Sequence, residues 1–464
     1  MPEFDSSITQ DQKDALSLLD GKGHERHKQR RAYRDYYDGD HDTQLTDRQR
    51  KYLSVKMGEE FNSNYCPTVV NALAEKLSVV GFKAEKDLSQ SLWDWWQCNR
   101  MDAQQQIVHL AAARDGDAFV MVGFDNDKKV PTLTFEMAYD GYQGVDVRYS
   151  SSKRNTIDFA FKKWKTTSGV RVNLYYPDRI EKYYHKSAPA NVAVENPGKY
   201  EQWQRYMGEG EVWPEKFVDG ENKPLGIPII HFKNQDQGYN YGRSELHNVI
   251  PLQNALNKAI IDTVAAADTT GFRVYWMTGG DPGGLSIVPG AWVYSRDIGA
   301  KVGYFPGEDL SKLIEFKDAF AMEIARVSRT PVSYFQMSRQ LAGEGTLQQQ
   351  ESGLVSRAKD RQRTFGNAWE DAMSMCRKLW NVYSNNGKNL DEETLIESVW
   401  SDPETRNDKA FLEEMKLKKD LGVPYHVLWG EMGYSAEDIE EMKSSVEYQA
   451  MIAMMQLGLG DENG

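Results

Sequence analysis

The sequence has few of the residues from which catalytic, metal and disulfide sites are built. Its 464 residues include only 3 cysteines and 8 histidines. Cys66, Cys98 and Cys376 lie far apart and are odd in number, which predicts free thiols in a reducing compartment. His24 and His27 are three residues apart in a basic segment, a spacing more typical of surface residues than of metal ligands. Nucleophile-elbow, kinase and HExxH motifs are absent. We therefore predict no catalytic residue, no metal, no cofactor and no enzymatic activity.

Long apolar runs and an excess of positive charge are also missing. No stretch reaches the length of a membrane span, and residues 1–20 lack the pattern of a secretory signal, so we predict synthesis in the cytoplasm and no membrane partner. The net charge is −13, and residues 391–464 account for most of it, with 18 Asp and Glu against 6 Lys and Arg. Tight DNA binding requires clustered Lys and Arg. If the chain meets DNA, we expect it to hold DNA weakly.

Two short segments come close to ligand-binding motifs. Gly238 and Gly242 are followed by Arg243, but a phosphate loop has more widely spaced glycines and a Lys at the Arg position, so we interpret this segment as a turn before a helix. Asp115 and Asp117 flank a glycine ahead of an apparent strand. Their oxygens could bind a divalent cation, and a polar turn explains them equally well.

The order of hydrophobic periods predicts an α+β fold. Residues 1–100 are predicted to be mostly helical, whereas residues 118–232 carry short β-branched and aromatic segments that are typical of an antiparallel meander. Apolar residues then recur at steps of three and four over residues 245–268 and 309–329. This pattern predicts two helices that flank a small β-rich module, and Pro251 should kink or restart the first of them.

A Gly-rich segment, a long helix and an acidic tail complete the chain. Residues 333–345 are predicted to be weakly structured. Thr346 and Gln349 have the spacing of a capping box, which predicts that a long helix begins there and runs to about Trp380. The C-terminal region is predicted to be helical, with a break at residues 421–424.

Five segments, taken in order, resemble the portal family of tailed phages, in particular its SPP1-like branch. Each segment alone is weakly specific, but together they extend over nearly the whole chain. They are YYDGD at 36–40, NSNYCPTVVNALAEKLSVVGF at 62–82, YGRSELHNVIPLQNALNKAIID at 241–262, RTPVSYF at 329–335 and GVPYHVLWGEMGYS at 422–435.

The resemblance implies a portal fold with a helical stem hairpin, a β-rich wing, a small clip module, a long wing helix and a helical C-terminal crown. The implied parts are the wing at 1–240, a stem helix at 241–268, the clip at 269–308, a second stem helix at 309–332, the tunnel loop at 333–346, the long wing helix at 347–390 and the crown at 391–464.

The resemblance also implies a structural function in the virion. Portal proteins form a homo-oligomeric ring, usually of twelve subunits, at one capsid vertex, and double-stranded DNA is packaged and ejected through it. The implied partners are the terminase large subunit, the head–tail adaptor, and the major capsid and scaffolding proteins, with assembly in the host cytoplasm. Another phage head protein, such as a minor head or capsid protein without a channel, is the alternative.

Two groups of residues carry the expected contacts of such a ring. The tunnel loop is expected to face DNA with a mostly neutral set of side chains: Gln336, Ser338, Arg339, Gln340 and Glu344. The clip is expected to dock its partners through aromatic side chains, which commonly dominate interfaces. These are Tyr275, Trp276, Trp292 and Tyr294.

Overall fold

The structure is a computed structural model, and it describes most of the chain between residues 24 and 450. The described residues are 24–42, 45–47, 49–51, 63–150, 152–153, 155–167, 169–185, 203–206, 213–271, 275–279, 299–304, 310–335, 344–384, 389–404, 408–432, 439, 442–445 and 448–450. They divide into two compact units, which lie within residues 1–403 and 404–464.

Helices and strands alternate along the chain, which confirms a mixed helix and sheet structure. The helices are α1 (His24–Asp38), α2 (Cys66–Ala74), α3 (Lys86–Cys98), α4 (Met101–Asp115), α5 (Ile250–Gly271), α6 (Leu310–Ser328), α7 (Glu344–Tyr383), α8 (Asp408–Asp420) and α9 (Tyr425–Glu431). The strands are β1 (Val79–Lys83), β2 (Asp117–Asp125), β3 (Val130–Glu136), β4 (Gly144–Tyr149), β5 (Ile157–Thr166), β6 (Gly169–Tyr175), β7 (Ile180–His185), β8 (Trp203–Arg205), β9 (Ile229–Lys233), β10 (Tyr275–Thr278), β11 (Lys301–Tyr304) and β12 (Glu397–Trp400).

The strand pairs within the described residues are all antiparallel, as the meander prediction required. Strands β4 to β8 form a five-stranded sheet in sequence order, while β2 lies between β3 and β9 in a three-stranded sheet. Strand β1 pairs with β12, and β10 pairs with β11. Because β12 belongs to the larger unit, the first residues of the predicted crown pack with the body of the chain.

The core of the larger unit forms where α7 crosses β2 and β9. Trp369 of α7 is fully buried and packs edge-on against Trp96, with ring centroids 4.9 Å apart, and against Phe232 at 4.7 Å. A second, smaller cluster of apolar side chains lies within the five-stranded sheet and includes Phe161, Val172 and Tyr183. Burial of such large aromatic side chains provides much of the driving force for folding.

Helix α4 turns directly into β2 at Gly116. This residue has φ +90°, and a Cβ there would lie 3.0 Å from the backbone nitrogen of Ser244. Glycine is required on both counts, because other residues rarely adopt positive φ and a side chain has no room. The turn therefore brings the end of α4 against the segment that precedes α5.

The predicted helix boundaries are confirmed in part. Pro251 is the second residue of α5, so the regular helix begins at Ile250 and not at residue 245; residues 244–249 form turns instead. The long helix begins at Glu344, so Thr346 lies inside it and the prediction that Thr346 caps it is wrong. In the smaller unit α8 ends at Asp420 and α9 begins after Pro424, as the predicted break requires.

Candidate functional site at the base of a helical hairpin

Helices α5 and α6 pack against each other and form a hairpin with the strands β10 and β11 at its tip. The base of the hairpin lies in the core, where Leu256 and Ile261 of α5 and Ile324 of α6 are buried. Among the described residues, no helix is long and apolar enough to cross a membrane. The two predicted helices are thus present, and the paired strands β10 and β11 lie between them in the chain.

The apolar side predicted for α6 is divided between core and surface. Ile324 is fully buried, but Phe316 is 55% exposed and its neighbour Ile314 is 48% exposed. Phe316 contacts Phe320 edge-on, with ring centroids 4.9 Å apart. The half of α6 nearer the hairpin tip therefore presents apolar side chains to solvent.

At the tip, only part of the predicted docking group lies within the described residues. Trp276 pairs with Gly303 across β10 and β11, and its ring covers that glycine, yet it remains 39% exposed. Tyr275 pairs with Tyr304, and its side chain lies outside the described part. Trp292 and Tyr294 lie outside the described residues altogether.

The chain between α6 and α7 begins with ordered structure. A short 3-10 turn spans Val332–Tyr334, and Phe335 is buried against Tyr65, with ring centroids 5.2 Å apart. Of the expected tunnel-loop residues, Gln336, Ser338, Arg339 and Gln340 lie outside the described residues. Glu344 is the first residue of α7. Of the loop expected at 333–346, residues 333–335 and 344–346 thus lie in ordered structure, and residues 336–343 lie outside the described residues.

A buried carboxylate lies between the hairpin and the long helix. Glu245, just before α5, accepts hydrogen bonds from Arg357 and Arg361 of α7, each with a nitrogen–oxygen distance of 2.9 Å. Asn234 donates to the same carboxylate at 3.1 Å and accepts a hydrogen bond from Arg361 at 2.6 Å. Burial opposes the charge of Glu245, but its two arginine partners more than offset this and lower its pKa. Glu245, Arg357 and Arg361 therefore form a charged, hydrogen-bonded triad.

A second buried ionic cluster explains Asp115 and Asp117. Asp117 forms an ion pair with Arg30 of α1 at 2.5 Å and contacts His231 at 2.8 Å, and Asp115 pairs with Arg34 at 2.7 Å. Burial opposes the charge of Asp117, but Arg30 and His231 more than offset it and hold its pKa at about 2. Asp117 thus holds α1 against β2, Asp115 holds α1 against the end of α4, and neither the cation site nor the simple polar turn describes them.

The predictions for His27 and for the glycines near residue 240 can also be compared with the structure. His27 is buried and packs edge-on against Tyr139 at 4.7 Å, so the prediction of a surface histidine is wrong for this residue. Gly242 donates its backbone N–H to Asp117 at 2.7 Å, and a Cβ there would lie 2.6 Å from the carbonyl oxygen of Asn234. The segment that resembles a phosphate loop is therefore a packed turn.

Sequence comparisons give one consistent result. The family described as "Phage portal protein, SPP1 Gp6-like" matches residues 18–451. A "Portal protein" of Mycobacterium phage D29 is 22% identical over 417 residues, which cover 84% of this chain and 79% of that protein. A "Portal protein" of Mycobacterium phage L5 is 23% identical over 419 residues, with the same coverage.

Proposed function

The chain belongs to the SPP1 Gp6-like family of phage portal proteins, and from this premise we propose how its parts act in the channel. A phage portal protein is a structural component of the virion and not an enzyme. It provides the passage at one capsid vertex for packaging and ejecting double-stranded DNA. The observation that carries the proposal is the helical hairpin, whose base is buried in the core. The chain between the hairpin and the 40-residue helix α7 is short.

We propose that α5 and α6 form the stem of a ring, which we expect to contain twelve subunits. The support is the exposed apolar part of α6, because large exposed apolar patches mark association surfaces. Ile314→Asp should convert rings to smaller species in analytical ultracentrifugation. Ile107→Asp is the matched control, since Ile107 is also a helical isoleucine and is 51% exposed. If Ile314→Asp forms rings as well as Ile107→Asp and the wild type do, α6 is not an interface.

Residues 336–343, with Glu344 at their end, are proposed as the tunnel loop. Each phosphate contact adds affinity and salt dependence, and many such contacts would slow translocation. A collar with Gln336, Ser338 and Gln340 and with a single cation, Arg339, keeps that hold weak. Replacement of 336–343 by a Gly/Ser linker should leave rings and procapsids intact but impair DNA packaging or retention. Normal packaging by that variant excludes the loop from the mechanism.

The module at the hairpin tip, residues 269–308, is proposed as the clip that docks the terminase large subunit and the head–tail adaptor. Trp276 supports this role because it is partly exposed. Truncation of an aromatic anchor typically costs about 2 kcal/mol or more, roughly a thirtyfold loss of affinity. Trp276→Ala and Trp292→Ala rings should bind both partners at least tenfold more weakly. Unchanged binding would assign these tryptophans to the clip core.

The remaining parts are proposed on the same premise. Residues 1–240 and the long helix would form the wing that meets capsid and scaffolding proteins, and the acidic C-terminal region would form the crown. Assembly would take place in the host cytoplasm. ATP hydrolysis would belong to the terminase, because the backbone N–H of Gly242 is already bonded to Asp117. ATP turnover by the purified chain that is lost on Arg243→Ala would contradict this assignment.

A further inference from the structure

Both ends of the hairpin are held by one face of α7. Arg357 and Arg361 are four residues apart, so they lie on the same side of the helix. Both bond Glu245, which precedes α5, and Arg357 also donates to the carbonyl oxygen of Ser328, the last residue of α6. One pair of arginines therefore contacts the chain where it enters the hairpin and where it leaves it.

Arg357 also completes the hydrogen bonding at the end of α6. Arg329 has φ +49°, and the N–H of Thr330 donates to the carbonyl of Ala325 at 3.0 Å, which is the Schellman arrangement with an arginine in place of the usual glycine. The side chain of Ser328 is turned inward and donates to the carbonyl of Ile324 at 2.7 Å. Arg357 supplies a donor to the terminal carbonyl that the helix itself lacks.

The same helix leads directly to the proposed tunnel loop. Arg357 lies thirteen residues after Glu344, within one uninterrupted α-helix, so roughly 20 Å of helix separates it from the loop. A helix of this length transmits a tilt at one end to the other. The angle between hairpin and helix thus determines where Glu344, the first residue of α7, lies.

We propose that Glu245, Arg357 and Arg361 form a joint that fixes the stem hairpin to the long helix and thereby positions the start of that helix, at Glu344, in the channel during translocation. They are positioning residues and do not themselves touch DNA. This inference rests on the proposed portal function. Hydrogen bonds between charged groups are directional, whereas an apolar contact of the same size permits sliding and rotation.

The energetics of buried ionic triads give a clean test. Replacing such a triad with apolar side chains of similar volume is often neutral or stabilising. Glu245→Met/Arg357→Met/Arg361→Met should therefore still fold and form rings, but it should package DNA at least tenfold less per procapsid than wild type. Arg377→Met is the control, because Arg377 is also buried on α7 but bonds the carbonyls of Glu392 and Thr394, away from the hairpin. It should package like wild type once assembled.

The possible outcomes distinguish a failure of the proposed joint from a failure of the proposed portal function. If wild-type rings do not support packaging, the portal function itself fails. If wild type packages and the triple variant packages equally well, the joint is wrong. If the triple variant does not assemble, Arg357→Lys decides, since it keeps the charge but its single ammonium cannot reproduce both guanidinium contacts. Wild-type packaging by Arg357→Lys rings would overturn the proposal, and a tenfold loss with normal assembly would support it.

Discussion

Burial of His109 should make the stability of the larger unit fall as the pH drops below 6.5. The ring is fully buried, and Nε2 accepts a hydrogen bond from Trp369 Nε1–H at 3.0 Å. Indole is only a donor, so Nε2 carries no proton and Nδ1–H donates to the carbonyl of Leu77 at 3.2 Å. Burial lowers the pKa of His109 to about 3. The folded chain therefore keeps this histidine neutral through mild acid.

The direction in which stability changes with pH follows from proton uptake by the unfolded chain. Below pH 6.5 unfolded His109 binds a proton and folded His109 does not, so stability is full above pH 6.5 and is lost as the pH falls toward 3. Each pH unit below 6.5 removes about 1.4 kcal/mol, so the two units between pH 6.5 and 4.5 remove about 3 kcal/mol.

Denaturant unfolding of the full chain and of His109→Gln over this pH range measures the effect. The glutamine oxygen can accept from Trp369 without titrating. The variant loses the stacking of the ring on Phe365, at 5.5 Å, so it should be less stable at pH 7.5. Its deficit should shrink by about 3 kcal/mol at pH 4.5, because the other histidines are common to both proteins. A constant difference between the two proteins across the range would refute the reasoning.

Three further predictions concern the packed turn, the ionic cluster and the thiols. Gly242→Ala should destabilise the fold by several kcal/mol, since its Cβ overlaps neighbouring backbone; an unchanged melting temperature would contradict this. Arg30→Met should cost about 3–5 kcal/mol because it leaves Asp117 and Asp146 buried without their shared cation, and near-wild-type unfolding would disprove it. Native subunits should react with a thiol reagent at Cys98 alone, because the other two cysteines are buried; labelling of all three before denaturation would argue against the described core.

The sequence predicts the elements better than the contacts between them. Helices α5, α6 and α7 follow from apolar periodicity, and the restart at Pro251 follows from its missing N–H. These are local properties. The tip module and the order of the meander also follow from local patterns of β-branched residues and turns.

The base of the hairpin could not be predicted in this way. Glu245 and Arg357 are more than 100 residues apart, and Arg30 and Asp117 more than 80. A carboxylate next to a glycine has the same sequence signature in a turn, a cation site or an ion pair, and only the folded chain distinguishes them. Residue spacing likewise left the burial of His27 unpredicted, because its neighbours Tyr139, between β3 and β4, and Asp146, on β4, are more than 100 residues away in sequence.

The pairing of β1 with β12 has a consequence for biosynthesis. The two strands are separated by more than 300 residues, so the larger unit cannot close until residue 400 has left the ribosome. Trp400 pairs with Val79, and α7 reaches its place on β2 and β9 only after the hairpin has emerged. Such long-range closure is slow compared with the formation of local helices. We therefore expect the hairpin of a nascent subunit to be exposed before its core is complete.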